Sequence, residues 1–326
     1  MPWEETTAMK LREEFVLRAK EPDACMAELC REYGISRKTG YKWVNRFDEG
    51  GIAALTDMSR RPHSCPVSTS GEMVLRVLEL RSRHQRWGPK KLRQVLLRSS
   101  ETDEVPSVRT IARILDRADV VRRRKRRPKA TPGAAPLAEV EACHDLWTVD
   151  FKGWWRTRDG QRAEPLTVRD AFSRYILGCT LMTSTAVAPV REVFERLFEL
   201  HGLPRAIQVD NGSPFACTRS PGGLTKLSAW WVSLGIRVVR GRPGHPQDNG
   251  AHERMHLDMA LEVEVDPEQD LEAQQVALNV WQLEYNHVRP HEALEQRTPF
   301  SVFRRSTRPY KGPRRPLYPP GWTTRR

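Results

Sequence analysis

The chain has 326 residues, a formal net charge of +13 and 39% hydrophobic residues. This length allows two or three domains, and because no apolar run reaches eighteen residues, we expect no membrane-spanning helix. The six cysteines are scattered without a Cys-x-x-Cys pair, which argues against a disulfide framework or a cysteine zinc site. With no secretory signal in the acidic N-terminus, a cytoplasmic protein with reduced thiols is expected.

The charge is unevenly distributed along the chain. Residues 1–130 carry +11, residues 131–286 carry −6 and residues 287–326 carry +8. Basic ends around an acidic middle suit a protein that binds a polyanion at its ends and cations in between. A basic protein with an ordinary surface is the alternative.

Helical patterns begin the chain, and residues 8–55 are predicted to form a helix-turn-helix DNA-binding domain. Gly34 indicates a helix end and Ser36 an N-cap for the next helix, RKTGYKWVNRF. In such a unit the start of the second helix faces DNA base edges. Gly40 is unfavourable inside that helix by about 1 kcal/mol relative to alanine, and a plain helical hairpin remains the alternative. The candidate DNA contacts are Arg37, Lys38, Thr39, Lys42 and Arg46, with Tyr41, Val44 and Trp43 as buried surface.

Residues 68–121 are predicted to form a second helix-turn-helix-like domain, with a weaker signal. Ser107 suits an N-cap, and an apolar stripe follows it with Arg109 and Arg113 alongside as candidate DNA contacts. A basic linker, 122–140, comes next, either as a solvated connector or as an arm that follows DNA phosphates. Its candidate contacts are Arg122, Arg123, Arg124, Lys125, Arg126 and Arg127.

Residues 141–290 change in character and predict an α/β domain. LWTVDFKG reads as a strand, PLTVRDAFSRYILGCTLMTS as two strands, and AIQV and IRVV as two more, with helices at about 187–201, 223–235 and after GRPGHPQDNG. Three strands, helix, strand, helix, strand, helix is the order of an RNase H-like mixed sheet with helices on both faces. LEAQQVALNVWQLEYN is predicted as the last helix, with Val276, Val280 and Leu283 as its apolar stripe.

Three carboxylates stand at element ends of this domain: Asp150, Asp210 and Glu253. Oxygen-only ligands favour Mg²⁺ or Mn²⁺ over Zn²⁺. Two such ions roughly 3.5–4 Å apart would activate an attacking oxygen and stabilise the leaving one in phosphodiester displacement. A turn residue is the alternative for Asp210, in its Asp-Asn-Gly break.

The sequence resembles the DDE transposases of bacterial insertion sequences, whose integrase core is shared with retroviral integrases. The matching stretches are LWTVDFKG, QVDNGSPF, RPGHPQDNGAHERMH, YNHVRPHEALEQRTP and, nearer the N-terminus, GISRKTGYKWVNRF and DMSRRPHSCP. The resemblance implies Asp150, Asp210 and Glu253 as a catalytic triad that binds two metal ions. It also implies binding to double-stranded DNA at the element's terminal inverted repeats and at the target, and a homo-oligomer that bridges two ends.

The stretch HERMH also matches the His-Glu-x-x-His motif of zinc peptidases, through His252, Glu253 and His256. We regard this match as coincidental, since Met259 and Glu262 occupy the positions of the extended zinc pattern.

The helix after the triad glutamate departs from the family pattern, because Ala260 replaces a usual basic residue and Asp258, Glu262 and Glu264 make the face acidic. Like charge facing DNA weakens binding, so a catalytically impaired DNA-binding protein is the second hypothesis. The candidate compensating DNA contacts are Arg240, Arg242 and Arg254. Residues 291–326 are a basic C-terminal extension, either a disordered polycation or an ordered DNA-contacting segment.

Overall fold

The computed structural model describes residues 7–58, 69–99, 105–121, 138–217, 223–242 and 245–312, apart from the side chains of Pro246 and Gln247. The chain divides into two compact units, residues 1–68 and 69–326. The predicted basic run from Arg122 to Arg127 lies outside the described residues.

The first unit is a small helical domain. Its helices are α1 (Ala8–Ala19), α2 (Met26–Glu32) and α3 (Arg37–Gly50), followed by a 3-10 turn, Ile52–Leu55. Ser36 caps α3 by accepting a hydrogen bond from the backbone N–H of Thr39 at 3.2 Å, which confirms the predicted start of that helix. Trp43 is buried, whereas Tyr41 is 53% exposed, so the prediction that Tyr41 supplies buried surface is wrong.

Gly40 lies where α3 crosses the other two helices. A Cβ at this position would come within 2.6 Å of the Cys30 sulfur and 2.9 Å of the Phe15 ring. Contacts that short do not occur in packed cores. The close approach of the three helices therefore explains a glycine that helix propensity disfavours.

The second unit begins with three helices that share their own core. They are α4 (Gly71–Arg83), α5 (Pro89–Ser99) and α6 (Val108–Arg117). Trp87, Leu92 and Ile111 are among the buried residues of this core. Ser107 accepts a hydrogen bond from the backbone N–H of Thr110 at 3.1 Å, as its predicted N-cap role requires.

A five-stranded mixed sheet forms the centre of the second unit, in the order β5-β4-β1-β6-β7. The antiparallel part pairs β1 with β4 and β4 with β5, and the parallel part pairs β1 with β6 and β6 with β7. A small separate hairpin joins β2 and β3. The strands are β1 (Leu146–Phe151), β2 (Trp155–Arg156), β3 (Arg162–Ala163), β4 (Pro165–Asp170), β5 (Ile176–Leu181), β6 (Ala206–Val209) and β7 (Arg237–Arg240).

Helices cover both faces of this sheet, which confirms the predicted RNase H-like mixed sheet. On one face, Trp147 and Val149 of β1 pack with Phe194, Phe198 and Trp230. On the other, residues such as Met255, Met259 and Trp281 form a second core. The helices are α7 (Val187–His201), α8 (Lys226–Ser233), α9 (Gly250–Met259), which continues as a π turn (Ala260–Glu264), α10 (Leu271–His287) and the short α11 (Pro299–Val302).

The last long helix, α10, uses a different face from the predicted one. Val276, Val280 and Leu283 are 57%, 59% and 60% exposed, whereas Leu278 and Trp281 are buried. The buried face also carries polar groups, including Gln274, Tyr285 and Asn286. The apolar-stripe prediction is wrong because hydrogen-bonded polar side chains, rather than valines, meet the sheet.

The described part of the C-terminal segment packs against the core. The Arg308 guanidinium donates to the carbonyls of Leu234 and Gly235 at 3.2 and 3.0 Å. The backbone N–H of Leu203 in turn donates to the Arg308 carbonyl at 2.8 Å. Up to residue 312, this segment is thus an ordered part of the second unit. No helix in the described residues is long and apolar enough to cross a membrane.

Candidate active site

The three predicted carboxylates line one cavity of about 420 Å³ at the carboxyl ends of β1 and β6. Asp150 is on β1, the central strand, opposite Thr167 of β4. Asp210 directly follows β6, which runs parallel to β1. Parallel neighbouring strands end at the same edge of a sheet, so the fold brings these two aspartates together.

Glu253 reaches the cavity from the first turn of α9. The helix is preceded by Asn249, whose side-chain amide donates to the Asp150 carboxylate at 3.0 Å. Gln208 of β6 donates to the Asp248 carbonyl in the same loop at 3.0 Å. These two hydrogen bonds hold the start of α9 against the strands that carry the aspartates. Asn249 and Gln208 were not predicted as site residues from the sequence, although Asn249 lies in the GRPGHPQDNG stretch that precedes this helix.

The Asp150 carboxyl has an unusually high pKa, and burial is the largest cause. Burial and, after it, the negative charges of Asp210 and Glu253 together raise the pKa of this carboxyl to about 7. A partly buried carboxylate beside two others carries negative charge that a divalent cation would offset. The donor set, carboxylate oxygens alone, suits Mg²⁺ or Mn²⁺. As they stand, no three acidic, histidine or cysteine side chains of the described residues are close enough together to hold one ion.

His252 and His256 lie on the sheet-facing side of α9 and are buried. The His252 Nδ1 is 2.8 Å from the Thr148 hydroxyl, and the Nε2 atoms of both histidines are 2.7 Å from the Thr167 hydroxyl. That hydroxyl donates to the backbone carbonyl of Asp150 at 3.0 Å. Both ring N–H groups therefore donate to Thr167, and this network joins α9 to β1 and β4.

This arrangement argues against a zinc site at the HERMH stretch. Three of the four imidazole nitrogens of His252 and His256 are engaged with threonine hydroxyls, and Glu253 is exposed on another side of the helix. Burial lowers the pKa of His252 well below its usual value and that of His256 to about 3. Both rings are neutral, as packing between uncharged threonines requires.

The acidic residues after Glu253 are paired within the protein. Arg289 is 98% buried by side-chain area and contacts Asp258 at 2.7 Å and also Glu262. Lys152 contacts Glu264 at 2.7 Å. The carboxylates that were expected to repel DNA thus have cationic partners within the protein, supplied by residues that closely follow β1 and α10. Sequence patterning along one helix does not reveal partners from other elements.

The predicted basic contacts have different surroundings. In the first unit Arg37, Lys38 and Lys42 are exposed, whereas Arg46 lies over the Trp43 ring at 5.1 Å. Thr39 belongs to the N-cap of α3.

In the second unit, two predicted contacts near the cavity are already engaged. Arg242 lines the cavity but forms a salt bridge with Asp248 at 2.6 Å, and its hydrogen bond lowers the pKa of Asp248 to about 2. The Arg240 guanidinium packs against Gly223. Arg109 and Arg113 are exposed, and Arg254 is exposed as well but lies 3.7 Å from the Asp258 carboxylate, with which it forms an ion pair.

Matches to known families cover most of this architecture. Residues 11–63 match a helix-turn-helix domain and residues 39–115 a homeodomain-like domain. Residues 141–246 and 234–299 each match an integrase core domain.

Proteins of insertion elements are among the relatives that this chain resembles in sequence. An uncharacterized 39.2 kDa protein of insertion element IS476 from Xanthomonas euvesicatoria is 25% identical over 74% of this chain and 67% of its own length. An uncharacterized 31.7 kDa protein of insertion element IS407 from Burkholderia multivorans is 24% identical over 72% of this chain and 82% of its own.

Similar solved structures are retroviral integrases. The HTLV-2 integrase catalytic core domain in complex with magnesium aligns with 49% of this chain and 97% of its own at 15% identity and a TM-score of 0.36. A simian T-cell lymphotropic virus intasome in complex with PP2A regulatory subunit B56 gamma aligns with 76% of this chain and 80% of its own at 18% identity and a TM-score of 0.42.

Proposed function

We propose that this chain, with its helix-turn-helix and integrase core domains and its similarity to proteins of insertion elements, is a DNA transposase. It binds the terminal inverted repeats of its own element and cuts and joins DNA there. The observation that carries the proposal is the shared cavity of Asp150, Asp210 and Glu253 at the carboxyl ends of β1 and β6.

In this proposal the three carboxylates are the catalytic residues and hold two Mg²⁺ or Mn²⁺ ions. Ions in this position activate an attacking oxygen and stabilise the leaving one. Asp150 supplies the most rigid oxygen, since it lies on a central strand and accepts a hydrogen bond from Asn249. Asp210 and Glu253 would complete the ligand set from the two neighbouring elements.

The reaction has two steps in the same cavity. Water attacks a phosphodiester at the element end, which releases a 3′-hydroxyl on one strand and leaves a 5′-phosphate on the other fragment. That 3′-hydroxyl then attacks a target phosphodiester in line, and the displaced target oxygen leaves as a new 3′-hydroxyl. Neither step needs a covalent protein intermediate, and joining two ends to one target requires a homo-oligomer on DNA.

A DNA-binding protein without catalysis is the second hypothesis, and its motivation was Ala260 with the acidic helix face. The ion pairs of Arg289, Arg254 and Lys152 weaken that motivation, since they give each of the three carboxylates a cationic partner within the protein.

The test is strand nicking and joining on DNA that carries the gene with its native flanks, in Mg²⁺ and in Mn²⁺. The wild type is compared with Asp150→Asn, Asp210→Asn and Glu253→Gln. Asp119→Asn is the matched control, because this carboxylate is exposed on a turn outside the cavity. We expect metal-dependent cutting at the element ends in the wild type and control, with a loss of at least about 10³-fold in each triad variant. End binding without cutting by the wild type would instead establish the second hypothesis.

A further inference from the structure

The second unit contains a larger cleft, of about 830 Å³, on a different side of α9 from the active-site cavity. One wall comes from α4, α5 and α6, and the other from α9, its π turn and Arg289. Six of the side chains that line the cleft, besides Arg289, are basic: Arg81, Arg86, Lys91, Arg109, Arg113 and Arg254.

The acidic residues of the cleft do not balance these cations. Asp258 is paired with Arg289 and Arg254, and Glu262 is paired with Arg289. With Asp116 as the third carboxylate, the lining holds three acidic side chains against seven basic ones. Arg86, Arg109 and Arg113 are exposed and form no ion pair with any residue of the described segments. The cleft therefore presents an excess of positive charge to solvent.

Lys91 provides a second, independent observation. It is half-buried between the two walls, and no described residue accepts a hydrogen bond from its ammonium group. Burial lowers the pKa of Lys91, the charge of Arg289 lowers it further, and the charges of Asp258 and Glu262 offset only part of this shift. A partly desolvated cation beside other cations is stabilised when an anion enters the cleft.

The cleft adjoins the site of the proposed chemistry through α9. Glu253 lines the active-site cavity, and the next residue, Arg254, lines the cleft. Arg109 and Arg113 are one turn apart on α6, with a rise of about 6 Å between them. Two guanidinium groups that close together on one helix can both contact the backbone of one DNA strand.

We propose that this cleft binds the phosphodiester backbone of the DNA strand that leads into the active site. The proposal rests on the proposed function. In it, Arg109 and Arg113 contact consecutive phosphates, Lys91 contacts a phosphate deeper in the cleft, and Arg254 guides the strand past α9 toward Glu253. The contacts carry position and not sequence, so the cleft serves the element end whatever bases lie there.

The experiment measures the affinity of the full-length protein for a DNA duplex carrying the element end, by fluorescence anisotropy at increasing KCl and without divalent cations. The test variant is Arg109→Gln with Arg113→Gln. The matched control is Arg76→Gln with Arg117→Gln, two basic residues of α4 and α6 that do not line the cleft. Both double variants lower the net charge by the same amount, and circular dichroism confirms that each is folded.

We expect the slope of log K against log [KCl] to become less negative by about 2 in the cleft variant, at roughly 0.9 per lost phosphate contact. The control slope should change by less than about 0.5. Affinity for unrelated DNA of the same length should fall by a similar factor, because backbone contacts are independent of sequence. A second variant, Lys91→Met, should reduce the slope by about 1.

Equal slopes in the cleft variant and the control, or a slope unchanged from the wild type, would overturn the proposal. The outcome is separable from that of the proposed function. Wild-type cutting with no cleft effect refutes the cleft alone. If the wild type never cuts DNA, but the slope of the cleft variant still differs from that of the wild type by the expected amount, the cleft is supported as a binding site and the transposase is refuted.

Discussion

Replacing Asp150 by asparagine should stabilise the metal-free protein while it abolishes cutting. The pKa of this carboxyl rises from its ordinary value of 3.8 to about 7 in the folded chain. At about 1.4 kcal/mol per pH unit, the ionised carboxylate costs the folded state at most about 4 kcal/mol. Asparagine keeps the shape and an oxygen that accepts from Asn249. Allowing half of the ceiling for relaxation and water entry, we expect a gain of about 2 kcal/mol.

The pH dependence follows from the direction of this pKa change. A carboxyl with a raised folded pKa destabilises the fold fully above pH 7, and the penalty disappears as the pH falls toward 3.8. For a unit of this size, a gain of about 2 kcal/mol raises Tm by about 4–8 °C. Differential scanning fluorimetry in EDTA should show this increase at pH 8 and a much smaller one at pH 4.5.

Two comparisons make the test strict. Asp119→Asn, which removes an exposed carboxylate, should change the free energy of unfolding by no more than about 0.5 kcal/mol at either pH. Mg²⁺ at pH 8 should raise the Tm of the wild type more than that of Asp150→Asn, because binding to the folded state alone stabilises it. The argument from buried charge is refuted if Asp150→Asn and the wild type have the same Tm at pH 8. It is also refuted if the Tm difference between them increases as the pH is lowered.

Three further substitutions test the packing around the site. Thr167→Val should lower the free energy of unfolding in urea by about 2–4 kcal/mol, because two buried imidazole N–H groups lose their acceptor. The control Thr180→Val, on β5, should change this free energy by less than about 1 kcal/mol. Equal losses in the two variants would contradict the network. Arg289→Met should cost about 3–5 kcal/mol by leaving two carboxylates unpaired, and adding Asp258→Asn and Glu262→Gln should recover most of it. Gly40→Ala should lower the stability of the first unit, followed by circular dichroism, by about 1–3 kcal/mol despite a better helix propensity. Stabilisation by that alanine would show that the helices can separate without cost.

The sheet was predictable because its strands carry local signals. The AIQV strand stops at an Asp-Asn-Gly break, and the helix at 187–201 keeps a regular apolar spacing, so both were placed at the bounds that the structure shows. The order of elements, once the sheet is assembled, also explains why one cavity is shared by Asp150, Asp210 and Glu253.

The partners of charged and polar groups were not predictable from patterns along single elements. α10 buries Gln274 and Asn286 and exposes three apolar residues, because hydrogen bonds such as that from the Ile176 N–H to the Asn286 side chain at 2.8 Å decide its orientation. The pairing of the acidic face after Glu253 was missed for the same reason, since Arg289 lies 31 residues beyond Asp258 in the chain. Contacts between distant segments leave no periodicity to detect.

The position of Arg289 also bears on how copies of such a gene lose activity. A premature stop codon or frameshift shortly after α10 begins would leave all three triad residues encoded, yet remove the cation that balances Asp258 and Glu262 beside the catalytic helix. Such a copy would retain every residue of the triad and encode an unstable protein. Genomic copies are therefore better judged by whether the reading frame extends through the segment that Arg308 anchors to the core than by the triad alone.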